Sequence, residues 1–289
     1  MSRILIITGQ FVPYTKSLGG ILRVYSYLNS LKKKHQLYLL VSKTFKNKNY
    51  GYLGLDKKKL KGINIFYLNN DTLKLTTSFF NFGFLRNIFY LFGLDYAFKN
   101  NEKYRNKSLE LIKKYKINYV IISSPPFSLF YLVEKIKDRF KNIKIILDYR
   151  DGWTTRIQNI LNYPIKIFIQ NFIEKKILSY SDYVLTATSR INQSVKILQK
   201  RKTKTLLIRN GFLYKPEQKK KIEENQNKIK IGYFGLISED DHSYRNIKIV
   251  YNALKDSKFL QNKFMFEFYG NNEINNINIK KKNLLASKG

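Results

Sequence analysis

The strongest constraint on the fold is a series of short apolar runs, rich in β-branched residues, that alternate with stretches of helical periodicity. Seven such runs precede residue 212: Arg3 to Thr8, Leu37 to Val41, Ile63 to Leu68, Tyr119 to Ser123, Ile143 to Asp148, Tyr183 to Thr186 and Thr205 to Ile208. Continuous apolar strands separated by helices are typical of a parallel sheet covered on both faces. The sequence therefore predicts a doubly wound α/β domain over residues 1–212.

Two helices of this domain are indicated by apolar residues at a period near 3.6. The first follows Gly20, and its apolar stripe is Ile21, Val24, Tyr25, Leu28 and Leu31. The second begins at Pro164, a residue suited to a first helical position, and its stripe is Ile165, Phe168, Ile169, Phe172, Ile173 and Ile177. Both stripes predict helices that pack against the core.

The α/β alternation stops after residue 212 and restarts near residue 229. Residues 213–228 are charged and lack an apolar period, which indicates a linker or an exposed helix. Strands predicted at Lys230 to Phe234 and Phe264 to Tyr269 begin a second α/β unit over residues 229–289. Two strands and a helix bury too little apolar surface to form a stable core alone, so we expect this unit to be the start of a second domain.

Composition narrows the classes of function. The chain has 54 Lys and Arg against 20 Asp and Glu, a net charge of +34, but the lysines are spread along the chain with no nucleic-acid motif. This pattern indicates that the positive charge reflects the amino-acid composition of an A+T-rich genome, or attraction to anionic ligands and membranes. Nucleic acid is not an expected partner. The absence of cysteine excludes disulfides and thiolate chemistry and fits a cytoplasmic protein.

Six motifs follow one another along the chain: Gly19-Gly20, Ser123-Ser124-Pro125-Pro126, Asp148 to Trp153, Ser181 to Ser189, Arg209-Asn210-Gly211-Phe212 and Gly232-Tyr233-Phe234-Gly235. Their order resembles the GT-B glycosyltransferases of the family 4 type. The resemblance implies two Rossmann-like domains, with the acceptor held mainly by the first and a nucleotide-sugar held mainly by the second. It covers the whole first domain and only the opening of the second, so it implies a GT-B chain truncated in its C-terminal domain.

The resemblance implies a retaining glycosyltransferase that moves a sugar from a nucleotide-sugar to a glycan or lipid-linked acceptor in cell-envelope polysaccharide synthesis. The resemblance implies no bound metal and no cofactor beyond the donor. Backbone N–H groups, helix ends and cationic side chains must then meet the charge of the leaving diphosphate. The alternative hypothesis is a catalytically silent, truncated relative that acts as a binding module.

The candidate catalytic residues are Arg150 and Asp151, just past the carboxyl end of a predicted strand, where open α/β sheets bind ligands. By resemblance, Asp151 or Asp148 orients acceptor hydroxyls and Arg150 fixes Asp151 or an anionic group. The alternative is an ion pair between Arg150 and Asp151 that holds the loop. Gly19 and Gly20 would supply N–H groups to a phosphate, or would serve only the backbone angles of a tight turn.

The other candidate contacts with substrate come from the same motifs. Ser123 and Ser124 hydrogen-bond acceptor or sugar, or else cap the next helix. Trp153 stacks on a sugar or packs internally. Asn210 belongs to the motif that closes the first domain.

On the donor side, Gly235 ends the first predicted strand of the second unit, and Arg245 is the nearest cation after it. Many family members carry a basic pair near this point to grip the diphosphate. This chain instead has acidic residues at 239–241, which would repel a diphosphate unless a nearby cation covers them.

The most aromatic stretch of the chain is residues 79–92, and Arg86 lies within it. It is too polar to span a bilayer and suits either an interfacial helix or a buried helix that covers the sheet. The first alternative predicts peripheral attachment to an anionic membrane surface on its inner face.

Overall fold

The computed structural model describes residues 1–15, 19–43, 55–69, 92, 94–95, 97–154, 164–199, 203–211, 229–234, 250, 252–253 and 256–269. The chain divides into two compact units, Met1–Lys215 and Pro216–Gly289. The predicted linker, residues 213–228, lies outside the described residues.

The first unit is built on a parallel sheet of seven strands. In chain order they are β1 (Arg3–Thr8), β2 (Gln36–Ser42), β3 (Asn64–Leu68), β4 (Tyr119–Ser124), β5 (Lys144–Tyr149), β6 (Tyr183–Thr186) and β7 (Lys204–Leu207). Across the sheet the order is β3-β2-β1-β4-β5-β6-β7, and every neighbouring pair is parallel. All seven predicted strands are confirmed. The predicted parallel, doubly wound sheet is confirmed as well.

The described part of this unit contains α1 (Leu22–Leu31), α2 (Asn101–Tyr115), α3 (Leu132–Arg139), α4 (Pro164–Ser179) and α5 (Ser189–Leu198). Short 3-10 turns occupy Lys57–Leu60, Phe98–Asn100 and Phe127–Tyr131. The start of α5 is capped by Thr188, whose Oγ1 accepts a hydrogen bond from the N–H of Ile191. None of the helices described is both long and apolar enough to cross a bilayer.

Two apolar clusters cover the two faces of the sheet. In β1, Ile4 and Ile6 belong to one cluster, and Leu5 and Ile7 belong to the other. The face of Ile4 and Ile6 is covered by α1 through Ile21, Val24, Tyr25 and Leu28, none more than 3% exposed. Burial on both faces explains why the strands are apolar without alternation, and it confirms the predicted inner face of α1.

The order of the strands reverses at β1 and β4, in the middle of the sheet. The chain runs outward from β1 through β2 to β3 on one side, and outward from β4 through β5 to β7 on the other. Connections that leave the sheet in opposite directions open a crevice at the carboxyl ends of the strands. Thr8 and Ser123, which are register partners, lie at this edge.

In the second unit, β8 (Ile229–Phe234) pairs in parallel with β9 (Phe264–Tyr269), and α6 (Lys258–Lys263) directly precedes β9. The hydroxyl of Ser257 accepts a hydrogen bond from the N–H of Leu260 and caps α6. Both strands predicted for this unit are confirmed.

Helix α4 departs from its prediction. Ile165, Phe168 and Phe172 of the predicted core stripe are 71%, 76% and 69% exposed, although Ile177 is buried. Three polar residues lie inside instead: Lys166, Gln170 and Glu174. Apolar residues occur around most of this helix, so their period did not determine which side packs inward, and the prediction was wrong for the three exposed positions.

The buried side of α4 holds a carboxyl group. Glu174 is 1% exposed and accepts a hydrogen bond from Thr154 Oγ1 at 2.7 Å. Burial raises the pKa of Glu174 to about 7, and the bond from Thr154 opposes that rise. Burial, together with the nearby Glu174 carboxylate, also raises the pKa of Tyr149 well above its usual value.

We expect stability to fall as pH rises from about 4.5 to 7, because folded Glu174 keeps a proton that the unfolded chain has released in that range. The loss should be on the order of 3 kcal/mol and should level off above pH 7. Urea denaturation across this range should show a shallower slope for Glu174→Gln. The control is Glu134→Gln, because the Lys176 hydrogen bond lowers the pKa of Glu134 and its contribution is lost only at lower pH. An unchanged slope in Glu174→Gln would contradict the prediction.

Candidate functional site

A cleft of about 480 Å³ opens at the carboxyl edge of the seven-stranded sheet. It is formed by the segment after β1, the start of α1, the loops after β4 and β5, and the segment after β7. The lining residues are Gln10, Gly19, Gly20, Leu22, Arg23, Ser26, Tyr27, Pro125, Arg150, Asp151, Ile208, Arg209, Asn210 and Gly211. Five predicted site residues therefore meet here: Gly19, Gly20, Arg150, Asp151 and Asn210.

Arg150 joins two loops of the cleft. Its Nη1 donates to the carbonyl oxygen of Gly20, and its Nη2 donates to that of Pro125. Its Nε donates to the carbonyl oxygen of Ser124 at 3.3 Å. The guanidinium thus holds the glycine loop against the end of β4, and Arg150 positions the loop through backbone carbonyls.

Gly20 packs closely against the end of the Gln10 side chain. A Cβ atom at this position would lie 2.3 Å from Nε2 of Gln10 and 3.9 Å from Nη1 of Arg150. The φ angle of Gly20 lies outside the left-handed region, so the alternative that required glycine for its backbone angles is wrong for this residue. Helix α1 begins two residues later with no side-chain cap and no acidic residue in its first turn. The first residues of α1 line the cleft, and no side chain in the described ranges caps the N–H groups at this helix start.

Beneath the cleft, Arg23 and Asp148 form a buried ion pair. Nε and Nη2 of Arg23 both lie 2.8 Å from Oδ1 of Asp148, and the two side chains are 4% and 0% exposed. Asp148 also accepts hydrogen bonds from the Tyr27 hydroxyl at 2.9 Å and from Ser123 Oγ at 2.8 Å. Asp148 and Ser123 are fully buried, so the structure places them in the support of the cleft and not on its surface.

The same arginine reaches the far wall of the cleft. Nη1 of Arg23 donates to the carbonyl oxygen of Ile208 at 2.6 Å and to Oδ1 of Asn210 at 3.1 Å. Burial and the nearby Asp148 carboxylate raise the pKa of Tyr27 well above its usual value. Sequence reasoning missed Arg23 and Tyr27. One signal was available, because a cation in the first turn of a helix opposes the helix dipole and requires a specific anionic partner.

Two other predicted contacts lie away from the cleft surface. Ser124 is fully buried, and its hydroxyl donates to the carbonyl oxygen of Pro126 at 2.9 Å. Trp153 is 5% exposed and stacks on Phe127 with ring centroids 5.4 Å apart. Trp153 therefore packs in the core, as its alternative interpretation proposed, and does not present a face to a sugar.

The remaining predictions fall on other parts of the chain. Gly235, Arg245, the acidic residues at 239–241 and residues 79–91 of the aromatic stretch lie outside the described residues. Within the described ranges, no group of three or more His, Cys, Asp or Glu side chains could hold a metal ion.

Among the described residues, the charged side chains that line the cleft are Arg23, Arg150, Asp151 and Arg209. The charge of Arg23 is balanced by Asp148 below it. Asp151 and Arg209 are exposed, and Arg150 is half-buried. The cleft thus combines two further cations with one exposed carboxylate, which suits a ligand that carries both an anionic group and hydroxyl groups.

No protein-family model matches the sequence, and no curated protein matches it. Solved structures do match the fold. One is the N-terminal domain of Candida albicans trehalose-6-phosphate phosphatase, with a TM-score of 0.56 and 11% identity over 95% of this chain and 65% of that chain. Another is an E. coli trehalose-6-phosphate structure bound with UDP-2-fluoro glucose, with a TM-score of 0.55 and 11% identity over 96% and 66%.

A third similar structure is the apo form of the lipopolysaccharide outer core galactosyltransferase WaaB, with a TM-score of 0.51 and 12% identity over 92% of this chain and 60% of that chain. The chain thus spans 60–66% of the length of these three structures. At such low identity the likeness shows the fold alone. That fold is the α/β GT-B type with Rossmann-like architecture, as predicted.

We predict that Arg23→Met lowers the free energy of unfolding by about 3–5 kcal/mol, because it leaves the Asp148 carboxylate buried without its cation. Urea denaturation at neutral pH measures the loss. Arg105→Met is the matched control, since Arg105 pairs with Glu102 on the exposed surface of α2 and should cost less than about 1 kcal/mol. Equal effects of the two substitutions would show that the buried pair contributes no more than a surface pair.

We predict that Gly20→Ala costs about 1 kcal/mol of stability, because the new methyl group displaces the Gln10 amide. Adding Gln10→Ala should recover most of that loss, which a double-mutant cycle measures. Gly211→Ala is the control and should be nearly neutral, because no described residue other than its chain neighbours lies within 4 Å of the added Cβ. Additive effects of the substitutions at positions 10 and 20 would refute the proposed contact.

Proposed function

We propose that this chain is the acceptor-side part of a glycosyltransferase that moves a sugar from a nucleotide-sugar to a glycan or lipid-linked acceptor. The observation that carries the proposal is the cleft itself. It lies at the reversal of strand order, where open α/β sheets bind ligands, and Gly19, Gly20, Arg150 and Asp151 meet there. The GT-B fold and the order of motifs, which resembles family 4, support the same reaction class.

Asp151 is the proposed catalytic residue. It is the exposed carboxylate of the cleft and can accept a hydrogen bond from an acceptor hydroxyl, which orients the hydroxyl oxygen for attack. Arg150 is a positioning residue in this scheme, because its three guanidinium nitrogens bind carbonyl oxygens of the cleft loops. The proposed transfer proceeds with retention at the sugar carbon.

The donor diphosphate would face the cationic side of the cleft. The N–H groups at the start of α1 and the side chain of Arg209 are suited to the negative charge that develops as the glycosidic bond breaks. We propose that these groups act without a metal ion. The E. coli structure of similar fold is bound with UDP-2-fluoro glucose, which supports a nucleotide-sugar as the donor class.

The proposed setting is cell-envelope polysaccharide synthesis in the cytoplasm, with peripheral attachment to the inner face of the membrane. The second candidate function is a catalytically silent module that binds the acceptor or a partner. The observation that favours it is the share of similar structures that this chain spans, 60–66% of their length.

We expect calorimetric titration of the chain with UDP-, GDP- and ADP-sugars to show saturable binding of one nucleotide class. That binding should persist at high salt, because screening removes only the general attraction of a chain with a charge of +34. The Asp151→Asn variant should bind the donor with unchanged affinity and lose at least about 100-fold in transfer.

The control is Asp138→Asn, which removes an exposed carboxylate at the end of α3 and should leave both donor binding and transfer unchanged. Binding that disappears at high salt would overturn the donor proposal. Donor binding without transfer to any acceptor would favour the silent module.

A further inference from the structure

We propose that the exposed apolar side of α4 docks on an anionic lipid bilayer. This surface, here named the α4 face, consists of Ile165, Phe168 and Phe172. Phe168 and Phe172 lie three and seven positions after Ile165, a spacing that places all three residues on one side of a helix. All three are more than two-thirds exposed. The α4 face is thus an exposed apolar side of a helix that buries Lys166, Gln170 and Glu174.

The inward polarity explains why the α4 face is turned outward. Lys166, Gln170 and Glu174 recur every four residues, and all three are buried. Glu174 is fixed by the hydrogen bond from Thr154 inside the unit. Rotating α4 to bury the α4 face would therefore expose a satisfied internal carboxyl and break its bond. An outward apolar side is thus built into the way this helix packs.

An apolar groove continues the α4 face. It has a volume of about 460 Å³, and Phe172 and Ile169 of α4 line it together with Phe92, Phe98 and Tyr131. Phe92 and Phe98 are 41% and 38% exposed. The exposed aromatic surface therefore extends from α4 to the segment that precedes α2, and Phe92 is the last residue of the aromatic stretch at 79–92.

Cations surround this surface. Lys175 and Lys176 are exposed on the next turn of α4 after Phe172, and Lys99 is exposed beside Phe98. Nζ of Lys176 pairs with Oε1 of Glu134 at 2.9 Å, and the Lys176 side chain remains 53% exposed. Long lysine side chains can reach anionic headgroups while aromatic rings enter the boundary of the acyl region.

Charge distinguishes a bilayer from a second copy of the chain. Two copies would each carry a net charge of +34 and would repel each other. An anionic leaflet attracts the same charge and offers an apolar layer for Phe168 and Phe172. Both the positive charge and the apolar face therefore favour binding to an anionic membrane. In a homodimer, the charge repulsion would oppose the contact between apolar faces.

The chain contains no cysteine, so a single introduced cysteine can be labelled at one site. We would label Phe168→Cys with an environment-sensitive fluorophore and add phosphatidylcholine vesicles with or without phosphatidylglycerol. A blue shift with the anionic vesicles, quenched by brominated acyl chains, is the expected result. Ile197→Cys is the control, since Ile197 is 82% exposed on α5 and should show no shift.

Cosedimentation with the same vesicles provides the second measurement. Phe168→Ser with Phe172→Ser should lower vesicle binding by about tenfold or more, and Ile197→Ser should not change it. These positions are exposed, so the variants should fold, which circular dichroism checks. Equal binding by both variants would show that only general charge attraction operates and would overturn the proposal.

A second copy or another protein on the α4 face would appear as a change in sedimentation velocity on mutation without any fluorophore shift, and would likewise overturn it. Neither measurement depends on sugar transfer. The inference rests on the peripheral attachment proposed above, and its outcome is separate from that of the proposed sugar transfer.

Discussion

The buried ion pair between Arg23 and Asp148 is the interaction on which the candidate site depends. It joins the start of α1 to the end of β5, and the same guanidinium reaches the carbonyl oxygen of Ile208 beyond β7. Two buried charges are costly to desolvate, so they are tolerated only when their bonds are satisfied. Tyr27 and Ser123 supply the remaining bonds to Asp148. Three separate segments of the chain are thereby held around one cleft.

Above this ion pair, hydrogen bonds fix the loops of the cleft, while other side chains of the cleft are exposed. The guanidinium of Arg150 donates hydrogen bonds to the carbonyl oxygens of Gly20, Ser124 and Pro125, and Gly20 packs closely against the end of the Gln10 side chain. Asp151 and Arg209 are exposed at the same surface. This division suits ligand binding, because loops fixed in advance lose little entropy when a ligand arrives. It also separates the positioning role of Arg150 from the chemical role proposed for Asp151.

In helix α4, the burial of polar groups leaves apolar side chains exposed. The hydrogen bond between Thr154 and Glu174 lies inside the unit, and Phe168 and Phe172 lie outside it. A buried carboxyl that keeps its partner costs much less than one that loses it. The apolar side of α4 is exposed next to lysines. Such an arrangement is unusual on a surface that contacts only water, and it suits contact with a membrane.

The sequence by itself determined the parallel sheet, the first helix and its inner face, because long apolar runs and a 3.6-residue period depend only on local order along the chain. It also brought Gly19, Gly20, Arg150 and Asp151 to one edge, since parallel strands end on the same side. Only the tertiary structure decided that Asp148 and Ser123 lie below the cleft, that Trp153 packs on Phe127, and that α4 turns its phenylalanines outward. Those outcomes depend on partners distant in the chain, chiefly Arg23 for Asp148 and Thr154 for Glu174, and no periodic pattern in the sequence encodes such pairings.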